Sequence, residues 1–145
     1  MRIILQRVAE AGVWADGETV GSIGRGLLAL VGVERGDTAA KAARAADKVA
    51  GLRIFSGEDG RTQLDLTAIG GAVLVVSQFT LAADLARGRR PSFTRAAPPE
   101  EAEPLVEAFA RGLEEYGLPV ARGRFGAAMQ VSLVNDGPFT LVLDL

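Results

Sequence analysis

The chain has no histidine and no cysteine, so any chemistry it performs must use hydroxyl, carboxylate, amide and backbone groups. This excludes the Ser-His-Asp and Cys-His catalytic groups and every cysteine thiolate nucleophile. A zinc site would need carboxylate ligands alone, which zinc seldom accepts. We therefore expect no metal and no cofactor, and a hydrolytic mechanism would have to work without an imidazole base.

The best candidate for such a mechanism is the segment Ser77-Gln78-Phe79-Thr80, which directly follows the apolar run 72–76. That run is typical of a buried strand, and polar groups at a strand's end are well placed to form a site. Backbone N–H groups fixed there could stabilise an oxyanion, a device worth about 10²- to 10³-fold in rate per donor. Since no histidine can activate Thr80 as a nucleophile, a hydrogen-bonding role is favoured for it. A capped strand end without catalytic function remains an alternative.

A second polar segment, Asn135-Asp136-Gly137-Pro138-Phe139-Thr140, separates two runs that alternate apolar and polar residues. Met129 to Val134 alternates before the segment, and positions 139 to 145 alternate after it, which predicts two strands. Gly137 tolerates backbone angles closed to other residues, and Pro138 has a fixed φ and no N–H group. The local sequence therefore favours a reverse turn that joins two core strands.

Basic residues form two clusters in a chain whose net charge is −2. One cluster contains Arg87, Arg89, Arg90 and Arg95, and the other contains Arg122 and Arg124. The arginine guanidinium suits phosphate recognition, although exposed arginines are also ordinary surface residues. Any nucleic-acid binding would have to be local, because the chain as a whole is not positively charged.

The remaining patterns predict one α/β domain over residues 1–145, with a mainly antiparallel sheet and two main helices. A hairpin is predicted from strands at 2–15 and 18–23 around the turn Asp16-Gly17, and further strands are predicted at 26–33 and 72–76. The predicted helices run from Thr38 to about Leu52 and from Pro98-Pro99 to Gly117. Loops are predicted at 56–60 and 86–94. No apolar run approaches the about 20 residues that span a membrane, and charge interrupts the N-terminal segment too early for a signal peptide. We expect a cytosolic protein with no membrane partner.

Five segments, taken together, resemble one known family. They are Leu5-Gln6-Arg7-Val8, Gly26-Leu27-Leu28-Ala29-Leu30-Val31-Gly32-Val33, Ser77-Gln78-Phe79-Thr80-Leu81, Arg90-Pro91-Ser92-Phe93 and Asn135-Asp136-Gly137-Pro138-Phe139-Thr140. In this order they resemble the D-aminoacyl-tRNA deacylases, also called D-tyrosyl-tRNA deacylases, over essentially the whole chain. The resemblance implies a barrel-like sheet and a cytosolic homodimer. It also implies a hydrolase that cleaves the ester between a D-amino acid and tRNA, and that also removes glycine, including glycine mischarged on alanine tRNA.

The resemblance also implies roles for individual residues. Catalysis would need no side-chain base, because the 2′-hydroxyl of the terminal adenosine of the tRNA assists. The peptide bond between Gly137 and Pro138 would be cis and would enter the partner subunit's site, where the two carbonyl groups exclude L substrates by collision. Arg7 would hold this loop. Ser77, Gln78, Phe79 and Thr80 would form the pocket for the ester and the adenosine, with Met129 and Asn135 also in the site. From the arginine cluster itself we predict that Arg87, Arg89 and Arg90 contact tRNA phosphates.

Two positions depart from the family's usual residues: Phe139 replaces a common valine, and Ala128 replaces a common aspartate before Met129. The phenylalanine ring bears on pocket depth and glycine tolerance, and Ala128 removes a possible hydrogen bond. Because neither change touches Gly137, Pro138 or Thr80, we expect activity to be retained. Two other function classes stay open, namely a dimeric module that binds tRNA ends or a small ligand without hydrolysis, and an amidase or esterase with Thr80 as nucleophile.

Overall fold

A six-stranded mixed sheet dominates the part of the chain that the computed structural model describes, residues 1–57, 60–86 and 88–145. Its strands are β1 (Arg2–Ala15), β2 (Glu18–Ile23), β3 (Gly26–Gly32), β6 (Ala72–Ser77), β7 (Val120–Arg122) and β8 (Met129–Asp144), while β4 (Phe55–Ser56) and β5 (Thr62–Leu64) form a separate small sheet. The helices are α1 (Ala39–Ala50), α2 (Pro99–Glu114) and a short 3₁₀ helix at Phe79–Ala82. None of the helices in these described ranges is long and apolar enough to cross a membrane.

Strand β1 is the centre of the sheet, because it pairs antiparallel with β2, β3 and β8. The sheet continues from β3 through parallel pairs to β6 and then β7. It is therefore a mixed sheet in which antiparallel pairs predominate, as the sequence predicted. Its two ends approach each other, since a Cβ added at Gly21 of β2 would lie 2.6 Å from the carbonyl oxygen of Arg122 in β7. The sheet is thus nearly barrel-shaped, as the family resemblance implied.

The core has two parts, one inside the barrel and one under the helices. Along β1 the buried face changes: Ile3 and Leu5 pack in the helix-side core, whereas Val8 and Val13 pack inside the barrel. The change coincides with register shifts between β1 and β8 around Val8. A strand side chain alternates from face to face with a period of two, so an irregular register there sends the two halves of β1 to different cores.

Both predicted helices are present and cover the helix-side core. The Thr38 hydroxyl accepts a hydrogen bond from the Lys41 N–H at 3.3 Å and so caps the start of α1. The two helices pack through small residues, since a Cβ added at Gly112 of α2 would lie 2.7 Å from the Cβ of Ala46 in α1. Gly117 has φ +76°, a conformation that favours glycine and ends the helical segment where the sequence predicted.

The predicted reverse turn at 135–140 is wrong. β8 runs without interruption from Met129 to Asp144, and both of its halves pair with β1. Asn135 is opposite Val8 and Thr140 is opposite Gln6, so that a single β1 residue, Arg7, faces residues 136–139. The polar segment therefore forms a loop that bulges out of one long strand. The sequence patterns also did not predict the short strands β4, β5 and β7 or the 3₁₀ helix.

Candidate functional site

A cavity of about 560 Å³ opens at the end of β6. Three of the predicted site residues, Ser77, Gln78 and Phe79, form one wall, and Met129 of β8 lies in another. The remaining lining is mostly apolar and comes from β3, β6, β8, α2 and neighbouring loop segments. It consists of Val31, Val33, Val76, Phe93, Ala96, Ala97, Pro99, Ala102, Val106, Phe125, Gly126, Ala127 and Val131. Such a concave apolar site with a few polar groups is typical of a binding site for a small organic group.

The polar wall exists because β6 stops pairing at the cavity. Ser77 is the last residue of β6 and is opposite Val31 of β3, and the Gln78 N–H donates to the Val31 carbonyl at 2.8 Å. The chain then turns into the 3₁₀ helix Phe79–Ala82. Ser77 and Gln78 are half-buried, whereas Phe79 is 58% exposed and Thr80 is exposed. The strand thus places these side chains at the mouth of the cavity.

Thr80 is held by its neighbour. The side-chain amide of Gln78 donates a hydrogen bond to the Thr80 hydroxyl oxygen. Thr80 is not among the described residues that line the cavity, but it directly follows Phe79, which does line it. Because the oxygen accepts from Gln78, the hydroxyl proton is left to donate to another group.

An aromatic pair forms part of the mouth. The rings of Phe79 and Phe93 meet edge to face with centroids 5.2 Å apart. Phe93 comes from an exposed segment whose base is closed by backbone hydrogen bonds in both directions between Asp84 and Ser92. Arg89 and Arg90 lie in the same segment and are exposed, whereas Arg87 falls outside the described residues. Base-sized π systems stack well on such exposed rings.

The loop at Gly137 is organised by Arg7, which is buried, with 7% of its surface exposed. The Arg7 Nε donates to the Asp136 carbonyl at 3.1 Å and forms an ion pair with the Asp136 carboxylate at 2.9 Å. Nη2 donates to the Gly137 carbonyl at 3.3 Å, and Nη1 donates to the carbonyl of Ile54. The guanidinium therefore ties the loop to the segment that follows α1.

Asn135 closes the neck of this loop. Its side-chain amide donates to the carbonyl of Arg7 at 2.9 Å and to the carbonyl of Phe139 at 3.1 Å. The peptide bond between Gly137 and Pro138 is cis. Both residues are exposed, and neither is among the described residues that line the cavity.

Within a single chain, the predicted site residues therefore lie in two separate groups. Ser77, Gln78, Phe79 and Met129 line the cavity, with Thr80 beside it. Asn135, Gly137 and Pro138 belong to the loop that bulges from β8, and Arg7 of β1 anchors this loop. The hydrogen bonds within each group fix its geometry, but the chain does not bring the two groups together.

The ionisable groups with shifted pKa lie away from the cavity. No Asp, Glu, Lys or Arg is among the described residues that line it. Arg122, which the sequence placed in a possible anion-binding cluster, donates to Glu107 and Glu114. These hydrogen bonds lower the pKa of both carboxyl groups. The cluster is thus a surface ion-pair network, and chemistry in the cavity must rely on neutral hydrogen-bonding groups.

Comparison with known protein families identifies the family to which the chain belongs. The model of the D-Tyr-tRNA(Tyr) deacylase family matches residues 4–144 of the chain. The chain belongs to this family. Deacylase sequences are similar over the full length: that of Roseiflexus castenholzii is 60% identical and covers 99% of this chain and 92% of its own. The D-aminoacyl-tRNA deacylase of Geobacter sulfurreducens is 54% identical and covers 99% of this chain and 95% of its own.

Solved structures support the deacylase fold. The structure titled c-Myc DNA unwinding element binding protein is similar with a TM-score of 0.92 and 36% identity, over 100% of this chain and 99% of that one. A probable eukaryotic D-amino acid tRNA deacylase is similar in fold with a TM-score of 0.82 and 18% identity, over 99% of this chain and 98% of that one. The deacylase barrel and its two helices are therefore shared across distant sequences.

Sequence reasoning missed two parts of this deacylase site. Phe93 lines the cavity, whereas the motif Arg90-Pro91-Ser92-Phe93 supports the family resemblance without indicating a role for the ring. Ile54 supplies a backbone carbonyl to Arg7, and nothing in its side chain signals this contact. An aromatic residue beside clustered arginines could have identified Phe93, whereas only the fold could identify Ile54.

Proposed function

We propose that the chain is a D-aminoacyl-tRNA deacylase, a hydrolase that cleaves the ester between a D-amino acid and the 3′ end of tRNA. The observation that carries the proposal is the match of the deacylase family model to residues 4–144. The cavity fits this reaction because it is concave and apolar with a polar wall at Ser77 and Gln78. Free D-amino acid and free tRNA are the products, and glycyl-tRNA, including glycine mischarged on alanine tRNA, is a second substrate. Since its substrate is tRNA, the enzyme works in the cytoplasm.

Catalysis in this proposal uses hydrogen bonds rather than an acid–base side chain. Water attacks the ester carbonyl, and the first N–H groups of the 3₁₀ helix, which have no acceptor within the helix, donate to the oxyanion. The Thr80 hydroxyl donates as well, since its oxygen is already an acceptor for Gln78. The 2′-hydroxyl of the terminal adenosine assists proton transfer, and this role explains how a chain without histidine performs hydrolysis.

Stereochemical selection is assigned to the carbonyl groups of Gly137 and Pro138. A backbone carbonyl placed against the α-carbon collides with an L side chain and ignores the identity of a D side chain. Gly137 and Pro138 are exposed and do not line their own chain's cavity, so the filter requires a second copy. We infer a homodimer in which each loop enters the partner's cavity.

The first experiment measures release from a D-aminoacyl-tRNA and its L counterpart by the purified protein. Release from the D substrate alone is expected. No release from either would leave a non-catalytic module that binds tRNA ends or a small ligand, and equal release from both would refute the Gly137-Pro138 filter. Light scattering of the same sample tests the dimer.

A mixing experiment tests whether the loop acts in the partner. A Cβ added at Gly137 would meet Asn135 Oδ1 at an ordinary 3.7 Å, so Gly137→Ala fits its own chain and obstructs only what the loop faces. Thr80→Val and Gly137→Ala should each reduce D-substrate release. Refolding them together should restore roughly a quarter of wild-type activity, because half of the dimers are mixed and each has one intact site. If the loop served its own chain, mixing would restore nothing.

A further inference from the structure

The face of the Arg7 guanidinium is covered by an aromatic ring. The Arg7 Cζ lies 4.2 Å from the centroid of Phe139, close enough for a cation–π interaction. Arg7 is buried and Phe139 is half-buried, so solvent weakens the interaction less than it would at an exposed site. An aliphatic side chain at this position would have no π face to offer.

The edges of the same guanidinium hold the loop. Nε and Nη2 donate to the carbonyls of Asp136 and Gly137 at 3.1 and 3.3 Å, and Nη1 donates to Ile54. The ring therefore covers one of the two faces that these in-plane hydrogen bonds leave open. Arg7 could leave its plane, and release the Gly137 carbonyl, only by losing contact with Phe139.

Phe139 is also fixed by the loop that it supports. Its carbonyl accepts from the Asn135 amide at 3.1 Å, and that amide also donates to the Arg7 carbonyl at 2.9 Å. Residues 135 and 139 are thereby held to the same point of β1. The Phe139 ring, the Arg7 guanidinium and the neck of the loop are thus connected by mutual contacts. A displacement of any one of them moves the Gly137 carbonyl.

We propose that Phe139 is a positioning residue that sharpens stereochemical selection by keeping the Arg7 guanidinium in the plane that anchors the Gly137 carbonyl. This rests on the proposed function. A steric filter depends on small distances, so a looser loop admits L substrates more readily than it impairs release of D substrates. The large ring is thus turned toward Arg7 of its own chain and contributes rigidity to the filter.

The test compares Phe139→Leu, which keeps a large apolar side chain without a π face, with Phe139→Tyr, which keeps the ring. The quantity measured is the ratio of kcat/KM for L-aminoacyl-tRNA to that for the D counterpart. Phe139→Leu should raise the ratio by roughly 2- to 30-fold, and Phe139→Tyr should keep it near the wild-type value. A general loss of stability would not change the ratio, because both substrates are measured on the same folded enzyme.

A second readout needs no substrate. The ring current of Phe139 should shift the NMR signals of the Arg7 guanidinium in the wild type and in Phe139→Tyr, and the shift should disappear in Phe139→Leu. The proposal is overturned if Phe139→Leu leaves either the ratio or the Arg7 shift unchanged, or if Leu and Tyr raise the ratio equally. A wild type that releases no D-amino acid would instead refute the proposed function, and one that releases both substrates equally would refute the backbone filter itself.

Discussion

Gln78 donates its side-chain amide proton to the hydroxyl oxygen of Thr80, two residues along the chain. An amide N–H cannot accept the hydroxyl proton in return, so this neighbour cannot serve as the base that a nucleophilic threonine needs. The contact instead fixes the oxygen and leaves the hydroxyl proton to donate. The geometry therefore favours Thr80 as a hydrogen-bond donor over the amidase or esterase alternative.

Thr80→Val should reduce single-turnover release of D-amino acid by about 100-fold, the usual effect of removing one donor to an oxyanion. Thr80→Ser keeps the hydroxyl and should retain most of the rate. Rapid quenching of the wild type should trap no acyl-enzyme. Accumulation of one, with almost complete loss of turnover in Thr80→Val, would establish a covalent nucleophile instead.

Gly32, the last residue of β3, controls the position of the 3₁₀ helix that carries Thr80. A Cβ added there would lie 2.8 Å from the Leu81 Cβ and 3.0 Å from the Gln78 carbonyl oxygen. Gly32→Ala should therefore move the helix, lower kcat by about 10-fold and destabilise the fold by about 1–3 kcal/mol. Gly24→Ala is the matched control, because nothing lies within 4 Å of its added Cβ. Equal kinetics of the two variants would show that the helix tolerates displacement.

The cavity wall could be predicted from sequence because it depends on a local pattern. The apolar run before Ser77 predicts a buried strand, and the sudden polarity of Ser77 and Gln78 marks its end. Helix α1 could be predicted equally well, since Thr38 is a typical capping residue before apolar residues at helical spacing. In both cases the residues that decide the structure are neighbours in the chain.

The loop at Gly137 could not be predicted in this way. Alternation before Asn135 and after Pro138 is the same whether the chain reverses or continues, and only the pairing of both halves with β1 distinguishes the two. That pairing brings Arg7 beside Asp136 and Gly137 from the other end of the chain. The parallel pairing of β6 with β3 and β7 escaped prediction for a similar reason, because a buried apolar strand does not reveal the direction of its neighbours.

Asp37 should make stability depend on pH. Burial alone would raise its pKa, but hydrogen bonds from the Lys41 ammonium, the Met1 α-ammonium and the Glu34 N–H outweigh this effect and lower the pKa overall. The folded state thus favours the charged carboxylate. Its contribution is complete above the unfolded pKa of about 3.9 and is lost as the pH falls through the lower folded value.

Asp37→Asn should therefore cost about 3 kcal/mol at pH 7 and less in acid, as measured by urea unfolding between pH 7 and pH 3. The side chain of Asp37 is 1% exposed, so the partner charges lose a buried counterion. Asp16→Asn provides the control: Asp16 pairs with Arg124 but is 79% exposed, and its loss should cost less than about 1 kcal/mol. Parallel pH profiles of wild type and Asp37→Asn would contradict this assignment.

Arg89 and Arg90 are proposed to contact tRNA phosphates, because the exposed segment that carries them also supplies Phe93 to the cavity mouth. Each phosphate contact on a single strand contributes roughly 0.7 to the slope of log K against log salt. Arg89→Gln/Arg90→Gln should thus make the slope of tRNA binding shallower by up to roughly 1.4. Arg44→Gln/Lys48→Gln removes the same charge from exposed positions on α1 and should leave the slope unchanged. Equal slopes for the two double variants would mean that net charge, rather than a contact at the mouth, governs affinity.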